Sequence, residues 1–459
     1  MAPRELAEHI CRVLHAAGHQ AYLVGGCVRD LLLAREPDDY DVSTDATPQH
    51  VLELFPGSIT VGAKFGVILV VDGAGGEERG AQVEVATFRS DLGYSDGRHP
   101  DGVAFSSSAE EDVRRRDFTI NGLLMDPLTR AVTDFVGGRA DIQARIVRAI
   151  GDPAQRFAED KLRMLRAVRF AARFGYTIEP ATFAAIAAHA AQIRVVSAER
   201  VRNEITCILT EGAARRGFEL LDQTGLLRAV LPEVARMKGV EQPPQFHPEG
   251  DVWMHTLLLI EKLPAGASPT LAWGALLHDV GKPPTFSPPS GPGDRIHFNN
   301  HAEVGTRMAE EITKRLRFSG DDSTQVAALV SSHMRFLDAL DMRPSTLKKF
   351  VRLPRFDEHL ELHRIDCLSS NGKLDTYDFV RRFLAETPPE LVRPPKLITG
   401  TDLAALGLQP GPRFRDILAV VEEAQLEGQI STREAAMQLA RALVEKGGAQ
   451  MKKDAKATE

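Results

Sequence analysis

A Gly-Gly turn with a pair of aspartates close behind it is the feature that most constrains this chain. Gly25 and Gly26 follow a short apolar run, and Arg29 comes one helical turn later. Such a turn lets backbone N–H groups approach a polyphosphate, and the positive end of a following helix favours the same anion. Asp39 and Asp41 are two residues apart, so in an extended strand their carboxylates share a face and could hold two Mg²⁺ ions. The alternative is a tight turn followed by a solvated acidic bend.

Three further motifs follow the first one in order: Glu84-Val85-Ala86-Thr87-Phe88-Arg89, Arg115-Arg116-Asp117-Phe118-Thr119-Ile120-Asn121 and Glu159-Asp160-Lys161-Leu162-Arg163. Together the four motifs closely resemble the head motifs of the bacterial tRNA nucleotidyltransferase (CCA-adding) and poly(A) polymerase family. The resemblance covers the first part of the chain. It departs from the family pattern where Gly122 stands in place of an expected alanine, a small-for-small change.

The resemblance implies a Mg²⁺-dependent nucleotidyltransferase and assigns roles to residues in each motif. Glu84 becomes a third catalytic carboxylate beside Asp39 and Asp41, although an exposed strand carboxylate fits the residues alone equally well. Nucleotide binding is carried over to the remaining motif residues: Gly25, Gly26, Arg29, Asp112, Arg115, Arg116, Asp117 and Asn121. The arginine run at 114–116 is expected to open a helix that reaches Asn121, and its alternative is a solvated charge run.

Residues 153–173 are predicted to form one helix that begins at Pro153. Five charged residues recur on it every three or four positions and so share a face: Asp160, Arg163, Arg166, Arg169 and Arg173. A carboxylate and a guanidinium on a rigid helix present acceptor and donor edges that can mimic Watson–Crick pairing. The resemblance implies that Asp160 and Arg163 read the base of CTP or ATP, and that Arg166 and Arg169 bind the nucleotide. A salt-bridged solvent face is the alternative.

The second half of the chain carries a series of histidines and aspartates suited to a metal: His255, His278, Asp279, His301, His333 and Asp366. Imidazole and carboxylate ligands together suit Mn²⁺, Fe²⁺, Ni²⁺ or Zn²⁺, or else Mg²⁺, better than Ca²⁺. The series resembles the HD metal-dependent phosphohydrolase superfamily, which implies a bound water activated against a phosphoester. Packed core histidines in an inactive helical fold are the alternative.

The hydrophobic pattern changes near residue 150 and divides the chain. Residues 1–150 are expected to form an α/β nucleotidyltransferase head with a small mixed sheet, its strands near 21–24, 39–42, 67–71 and 83–88. A Gly-rich hairpin tip is expected at 73–80. Pro-rich breaks then separate all-α parts. We predict a helical neck at 151–240 that binds the nucleotide base and RNA, an HD domain at 241–385 and a tRNA-binding helical tail at 386–459.

Composition excludes several classes of protein. The 459 residues have a net charge of −7, and 26% of them are charged, which is ordinary for a soluble globular protein. No apolar run approaches the ~20 residues that span a bilayer, and the N-terminus lacks a signal sequence. The four cysteines show no paired spacing typical of a zinc ribbon or a disulfide framework. A cytoplasmic enzyme with no membrane partner fits, and its nucleic-acid contacts would rest on a local basic stripe.

The sequence therefore favours a tRNA nucleotidyltransferase that adds CCA to tRNA 3′ ends from CTP and ATP without a nucleic-acid template, with a second HD phosphohydrolase activity. The alternatives are a poly(A) polymerase, an enzyme that adds only CC or only A, and an HD phosphohydrolase or regulator with an inactive head. The stretch 90–102 is too rich in Gly and Asp for a regular element and is expected to be a surface loop. In the family a flexible loop here accompanies the change from CTP to ATP, so its presence favours full CCA addition.

Overall fold

The computed structural model describes residues 1–62, 66–72, 80–93, 102–264 and 266–456. The chain separates into two compact units. The first comprises Met1–Val240, Val252–Trp273 and Glu311–Ser319, and the second comprises Glu241–Asp251, Gly274–Glu310 and Gly320–Glu459. The predicted division into four domains shares the boundary at residue 240 with these units and otherwise stays a prediction.

The described strands are, in chain order, β1 Ala21–Val24, β2 Asp41–Thr44, β3 Ile59–Gly62, β4 Val67–Val71, β5 Gln82–Thr87, β6 Arg89–Leu92, β7 Gly102–Phe105, β8 Leu123–Met125, β9 Val132–Asp134, β10 Ile146–Val147 and β11 Thr177–Ile178. Seven of them form one mixed sheet in the order β3-β4-β5-β2-β1-β8-β9. Strands β2 and β5 run parallel, and the other neighbours run antiparallel. The predicted α/β head with a small mixed sheet is confirmed.

Five helices belong to the head: α1 Pro3–Ala16, α2 Gly26–Leu32, α3 Pro48–Leu54, α4 Ala109–Arg114 and α5 Gly138–Ala144. Helix α1 has one apolar face, which buries Leu6, Ile10 and Leu14 in the same core as Val42 and Val85 of the sheet. That single-sided core leaves the end of β2 at Asp41 only partly covered. The head thus places an acidic strand end at the boundary between core and solvent.

The rest of the described chain is helical: α6 Pro153–Glu159, α7 Arg163–Phe174, α8 Pro180–His189, α9 Ala198–Thr210, α10 Ala214–Gln223, α11 Leu226–Val230, α12 Pro232–Ala235, α13 Val252–Glu261, α14 Pro269–Leu277, α15 Lys282–Thr285, α16 His301–Arg315, α17 Gly320–Ser332, α18 Pro344–Phe350, α19 Phe356–Ser369, α20 Asp375–Glu386, α21 Pro389–Val392, α22 Gly400–Ala405, α23 Pro412–Leu426 and α24 Arg433–Lys456. This confirms the predicted all-α second part. In the described residues no helix combines the length and the apolar composition that crossing a bilayer requires.

The predicted single helix over 153–173 is wrong. Helix α6 ends at Glu159 and α7 begins at Arg163. Asp160 is extended, with φ −142° and ψ 107°, and its side chain accepts a hydrogen bond from the Leu162 backbone N–H at 3.0 Å. Aspartate competes in this way with the helical hydrogen bonds. The charged positions on either side of the break therefore belong to two helices.

Three other local predictions are corrected. Helix α4 ends at Arg114 and does not reach Asn121, which lies in a separate 3₁₀ turn, Thr119–Asn121. Strand β2 begins at Asp41, so Asp39 precedes it. The predicted loop at 90–102 contributes to a regular element, because its two ends pair as β6 and β7. The segment 94–101 between them lies outside the described residues, as does most of the predicted hairpin tip, at 73–79.

Candidate functional site

The carboxylates of Asp41 and Glu84 lie side by side on parallel strands. Asp41 of β2 is paired in register with Glu84 of β5, and residues in register on neighbouring strands share a face. Asp39 is exposed and lies just before the strand, next to the buried Tyr40. Burial raises the pKa of Asp41 to about 6, helped by the charges of Glu84 and Asp39 and opposed by Arg116. This surplus of negative charge fits a divalent cation.

Gly25 lies between a guanidinium and a carboxylate of the site. Its φ is +78°, which favours glycine, and a Cβ there would lie 3.5 Å from Nη1 of Arg116 and 4.0 Å from Oδ2 of Asp41. Gly25 is buried, and its lack of a side chain leaves the space between these two groups clear. Gly26 begins α2, and a Cβ there would lie 3.5 Å from Nη2 of Arg29.

Arg29 is held inside the protein. Its guanidinium donates through Nε and Nη2 to Asp30, at 2.9 Å each, and through Nη1 to Oδ1 of Asn121 at 2.6 Å. It also lies over the rings of Phe170 and Phe174, 5.3 and 4.5 Å from their centroids. These contacts make Arg29 a support for the start of α2, and its direct contact with a nucleotide stays a prediction.

Asp112 anchors two arginines of the third motif. It is fully buried and accepts from Arg115 at 2.7 Å and from Arg116 at 3.0 Å. Burial by itself would raise the pKa of Asp112, but the two guanidinium groups hold it below its usual range. Arg116 also donates to the Ser43 hydroxyl at 3.1 Å, and its buried Nε has no hydrogen-bond partner. Arg116 is therefore fixed beside the acidic strand end.

Asp117 ties this motif to α7. Its carboxylate accepts from Asn121 at 3.1 Å and from Nε of Arg166 at 2.8 Å. Burial alone would raise the pKa of Asp117, but the charge of Arg166 and the hydrogen bond from Asn121 outweigh that effect. The pKa of Asp117 therefore lies below its usual range. The predicted nucleotide residues Asp117, Asn121 and Arg166 are thus brought together, while Arg169 contacts a different carboxylate, 3.4 Å away on Glu204.

The two predicted base-reading residues lie on either side of the break between α6 and α7. Asp160 accepts from both terminal nitrogens of Arg200, at 2.7 and 3.2 Å. Arg163 donates to Glu159 at 2.6 Å and to the backbone carbonyl of Arg115 at 3.0 Å. Because each side chain is held by its own partners, the acceptor edge of Asp160 and the donor edge of Arg163 are fixed without a continuous helix.

A second cluster lies in the other compact unit. Nε2 of His301 is 3.3 Å from Nε2 of His333, and these atoms lie 3.7 and 3.8 Å from Oδ1 of Asp279. Nε2 of His278 is 3.2 Å from Oδ2 of the same carboxylate. The ligand atoms of Asp279, His301 and His333 all lie within 4.8 Å of one another, whereas the three head carboxylates are not gathered so closely.

The histidines of this cluster are orientated by backbone carbonyls. Nδ1 of His278, His301 and His333 lies 2.9, 2.9 and 2.7 Å from the carbonyl oxygens of Ala275, Phe298 and Val330. With Nδ1 donating, each Nε2 carries a lone pair, so the close Nε2 atoms of His301 and His333 cannot bond to each other. Burial lowers the pKa of His301, and that of His333 to about 4, against the pull of Asp279. Neutral imidazoles aimed at one carboxylate fit a transition metal.

Local sequence explains how this cluster forms. A Cβ at Gly281 would lie 2.1 Å from the carbonyl oxygen of His301, so only glycine lets the start of α16 approach the turn after Asp279. Lys282 donates to Asp279 at 2.7 Å and to Gln242 at 2.6 Å and so fixes the carboxylate. The sequence analysis missed Lys282 as a functional residue, although it directly follows the motif.

The remaining two predicted ligands differ in their placement. Asp366 on α19 lines the same cavity as Asp279, His301 and His333, which has a volume of about 590 Å³. Phe246 and Met334, both partly exposed, line the same cavity. His255 is buried on α13 in the first compact unit, and its part in a metal site stays a prediction.

Family models of known proteins match three parts of the chain. The "Poly A polymerase head domain" model matches residues 21–148, the "Probable RNA and SrmB- binding site of polymerase A" model matches 175–238, and the "HD domain" model matches 251–354. A CCA-adding enzyme of Lactobacillus johnsonii is 30% identical over 435 residues, which cover 93% of this chain and 94% of that protein. The chain belongs to the CCA-adding enzyme family.

Other members of the family match over shorter stretches. The CCA-adding enzymes of Levilactobacillus brevis and Geobacillus stearothermophilus are each 42% identical, over 48% and 51% of this chain. The chain spans about half the length of these curated relatives, 54% and 56%. The crystal structure of the Bacillus stearothermophilus CCA-adding enzyme with CTP is 26% identical, with a TM-score of 0.71 over 99% of this chain and 100% of that one.

Membership of the CCA-adding enzyme family confirms the predicted resemblance and fold class. The roles given to single residues are not tested by these likenesses and stay predictions. The residues that the sequence analysis missed, Arg200 and Glu204, lie on α9 four positions apart. That spacing of opposite charges was the available signal, because it marks a helix face complementary to the charges of α7.

Proposed function

We propose that this member of the CCA-adding enzyme family is a tRNA nucleotidyltransferase that adds C, C and A to tRNA 3′ ends from CTP and ATP, without a nucleic-acid template. The observation that carries the proposal is the register of Asp41 with Glu84, next to the glycine turn at Gly25. The relatives named above carry the same activity in their names, and one was crystallised with CTP.

Asp39, Asp41 and Glu84 would hold Mg²⁺, which when bound neutralises the charge of the triphosphate and polarises the reacting oxygens. The chain's own residues do the positioning. Gly25 and Gly26 leave backbone room for the phosphates, and Arg116 places a fixed positive charge beside them. Catalysis would then rest largely on orientation and on preorganised charge.

Base choice follows from the hydrogen-bonding edges of Asp160 and Arg163. Cytosine and adenine each present an amino donor next to a ring-nitrogen acceptor, whereas uracil and guanine present a carbonyl next to an N–H donor. A carboxylate accepts from the amino group, and a guanidinium donates to the ring nitrogen. One pair of side chains therefore accepts both CTP and ATP and opposes UTP and GTP.

The test is incubation of the purified protein with tRNAs that end before the first C, the second C or the terminal A, with CTP and ATP supplied separately and together. We expect complete CCA ends only with both nucleotides. Addition of a long A tract would favour a poly(A) polymerase, and arrest after the second C would favour a partial enzyme. The segment 94–101 lies outside the described residues, so deletion of Asp96–Asp101 tests its predicted role: the two C additions should persist and the A addition should fail.

We infer a second, separate activity, the metal-dependent hydrolysis of a phosphoester by the HD domain. The supporting observation is the set of lone pairs that His278, His301 and His333 direct at Asp279. A metal bound there would supply an activated water. Lys282 would hold the Asp279 carboxylate in place. Assay of 2′,3′-cyclic nucleotide hydrolysis with Mn²⁺, Ni²⁺, Fe²⁺ or Mg²⁺ tests this, and no turnover with any of them would favour the inactive fold.

A further inference from the structure

Helix α9 presents a row of charged side chains that pair with the residues at and after the α6–α7 break. Arg200 pairs with Asp160, and Glu204 lies 4.0 Å from Arg166 and 3.4 Å from Arg169. Four residues separate the two α9 positions, so they share a face of the helix. The positive charge of Arg200 meets an aspartate, and the negative charge of Glu204 meets two arginines. Helix α9 is therefore a second layer behind the predicted nucleotide-reading residues.

We propose that Arg200 is a specificity-determining positioning residue, whose two-point ion pair sets the plane of the Asp160 carboxylate that reads the base. The inference rests on the proposed nucleotidyltransferase function. It assigns Arg200 no contact with the nucleotide or with the reacting atoms.

The backbone around Asp160 explains why a second anchor is needed. Asp160 lies outside both helices, and among the described residues the Leu162 N–H, at 3.0 Å, is the only backbone donor to its carboxylate. One hydrogen bond leaves a carboxylate free to rotate about its Cβ–Cγ bond. Arg200 adds Nη1 to Oδ1 at 3.2 Å and Nη2 to Oδ2 at 2.7 Å, and such a two-point pair fixes the plane.

The ion pair leaves the carboxylate able to act. Each carboxylate oxygen has two lone pairs. Among the described contacts, Oδ2 of Asp160 accepts from Arg200 alone. Its second lone pair is therefore left for the amino group of cytosine or adenine. A carboxylate turned out of that plane would lose the acceptor direction that distinguishes these bases from uracil and guanine.

A purely structural role fits the pair less well. The Arg200 and Asp160 side chains are 25% and 16% exposed, so they form a largely buried pair, and such a pair is weak evidence of a contribution to stability. Apolar residues of α9 carry the packing instead, since Ile205, Ile208 and Leu209 are buried. The main effect expected of the Arg200–Asp160 pair is therefore to orient the Asp160 side chain, and the apolar residues hold the helices together.

The experiment compares wild type with Arg200→Ala, Arg200→Lys and the control Arg215→Ala. Arg215 also forms ion pairs in the same unit, with Glu219 and Glu261, and neither partner is a predicted nucleotide residue. The readouts are the ratios of CTP to UTP and of ATP to GTP incorporation, each with kcat and KM, and CTP and UTP binding by calorimetry without tRNA. We expect Arg200→Ala to lower both ratios about tenfold. Arg200→Lys keeps the positive charge but loses the planar two-point geometry of the guanidinium. Its two incorporation ratios should lie between those of wild type and Arg200→Ala.

Three results would overturn the proposal. Equal loss of rate with all four nucleotides and unchanged ratios would make Arg200 structural. Tighter CTP binding with unchanged ratios would mean that the pair restrains Asp160 instead of aiming it. A loss of selectivity in Arg215→Ala as large as in Arg200→Ala would remove the specificity of the effect. A wild-type protein that adds no nucleotide would instead contradict the proposed function, which separates the two failures.

Discussion

The acidic site of the head and the histidine cluster of the HD domain gather ligands in different ways. In the head, carboxylates meet at a strand end, and burial with mutual repulsion raises the pKa of Asp41 to about 6. In the HD domain, neutral imidazoles are held by backbone carbonyls around one carboxylate, with ligand atoms within 4.8 Å. The first site is under electrostatic strain without a cation, and the second is assembled in advance.

The difference matches the chemistry proposed for each site. A polymerising site must admit a triphosphate and an RNA end at each cycle, and the carboxylates of the head lie at strand positions that are only partly covered. A hydrolytic site keeps its metal between cycles. Its histidines are accordingly buried, and the backbone carbonyls that contact their Nδ1 atoms orient them. Variants that remove one ligand from each site should therefore each lose most of one activity and keep the other.

The largest effect is expected for Asp41→Asn. Loss of a metal ligand should lower nucleotide addition about 10³-fold or more, which corresponds to about 4 kcal/mol of transition-state stabilisation. The pKa of Asp41 is above its usual value in the folded protein, so its ionised form destabilises the metal-free fold at neutral pH. The melting temperature of metal-free Asp41→Asn should therefore equal or exceed that of wild type, and Mg²⁺ should stabilise only wild type.

Asp38→Asn is the matched control for this variant. Its side chain is 86% exposed and lies three residues from Asp41 in the chain. It should retain wild-type addition and wild-type stabilisation by Mg²⁺. Near-normal turnover in Asp41→Asn would contradict the assignment of the head site.

The second largest effect is expected for His333→Gln in the HD domain. Loss of one ligand should lower phosphoester hydrolysis about 100-fold or more, because the metal loses a fixed donor. CTP and ATP addition should change less than about twofold, since the two sites use separate ligands in separate compact units. His189→Gln, which changes a histidine that contacts Gln192 in the first compact unit, is the control. Equal losses of both activities would show that the two sites are not independent.

The sequence predicted the fold class better than the local geometry of either site. The hydrophobic pattern predicted the α/β head and the helical remainder, and the motifs indicated the carboxylates and histidines, whose roles stay predictions. It missed the break at Asp160, because a three-residue interruption leaves the three-to-four-residue spacing of charges intact. Only the hydrogen bond from the Leu162 N–H to the Asp160 side chain reveals it.

Arg29 shows a second limit of sequence reasoning. Its place after the Gly-Gly turn indicates a phosphate ligand, yet its guanidinium is surrounded by Asp30, Asn121 and the rings of two phenylalanines on α7. The rings come from residues more than a hundred positions away, and no local pattern encodes such a contact. Long-range contacts of this kind decide which motif residues face the ligand and which support it.

The burial of His359 predicts an acid sensitivity in the predicted HD domain. Burial lowers the pKa of His359 to about 4, against the effect of Glu358. An unfolded histidine titrates near 6.5, so the unfolded state binds more protons as pH falls from about 6.5 to about 4. Stability is therefore present above that range and is lost through it, by roughly 3 kcal/mol for this residue.

Comparison of wild type with His359→Leu isolates the contribution of this histidine. Urea unfolding of the helical unit should show a steeper loss of stability between pH 6.5 and pH 4 in wild type than in the variant. Ser332, which His359 contacts at 2.7 Å, retains its hydrogen bond to the carbonyl of Ala328. Identical slopes in the two proteins would show that His359 is protonated in the folded state.

The smallest expected effect lies in the head, at Gly122, where the family pattern favours alanine. The φ of Gly122 is −96°, which any residue can adopt, but a Cβ would lie 2.8 Å from Cγ2 of Val136 and 3.1 Å from Cδ1 of Ile150. Overpacking of this kind costs about 1–3 kcal/mol, and the lower entropy of the unfolded alanine chain offsets about 0.4–1 kcal/mol of it. Gly122→Ala should therefore lower the free energy of unfolding by about 1 kcal/mol. The control Gly320→Ala, at an exposed helix start with nothing within 4 Å, should stabilise slightly. Because Val136 is the closest obstacle, Gly122→Ala with Val136→Ala should lose less stability than the sum of the single changes, and strict additivity would mean that the head accommodates the methyl group elsewhere.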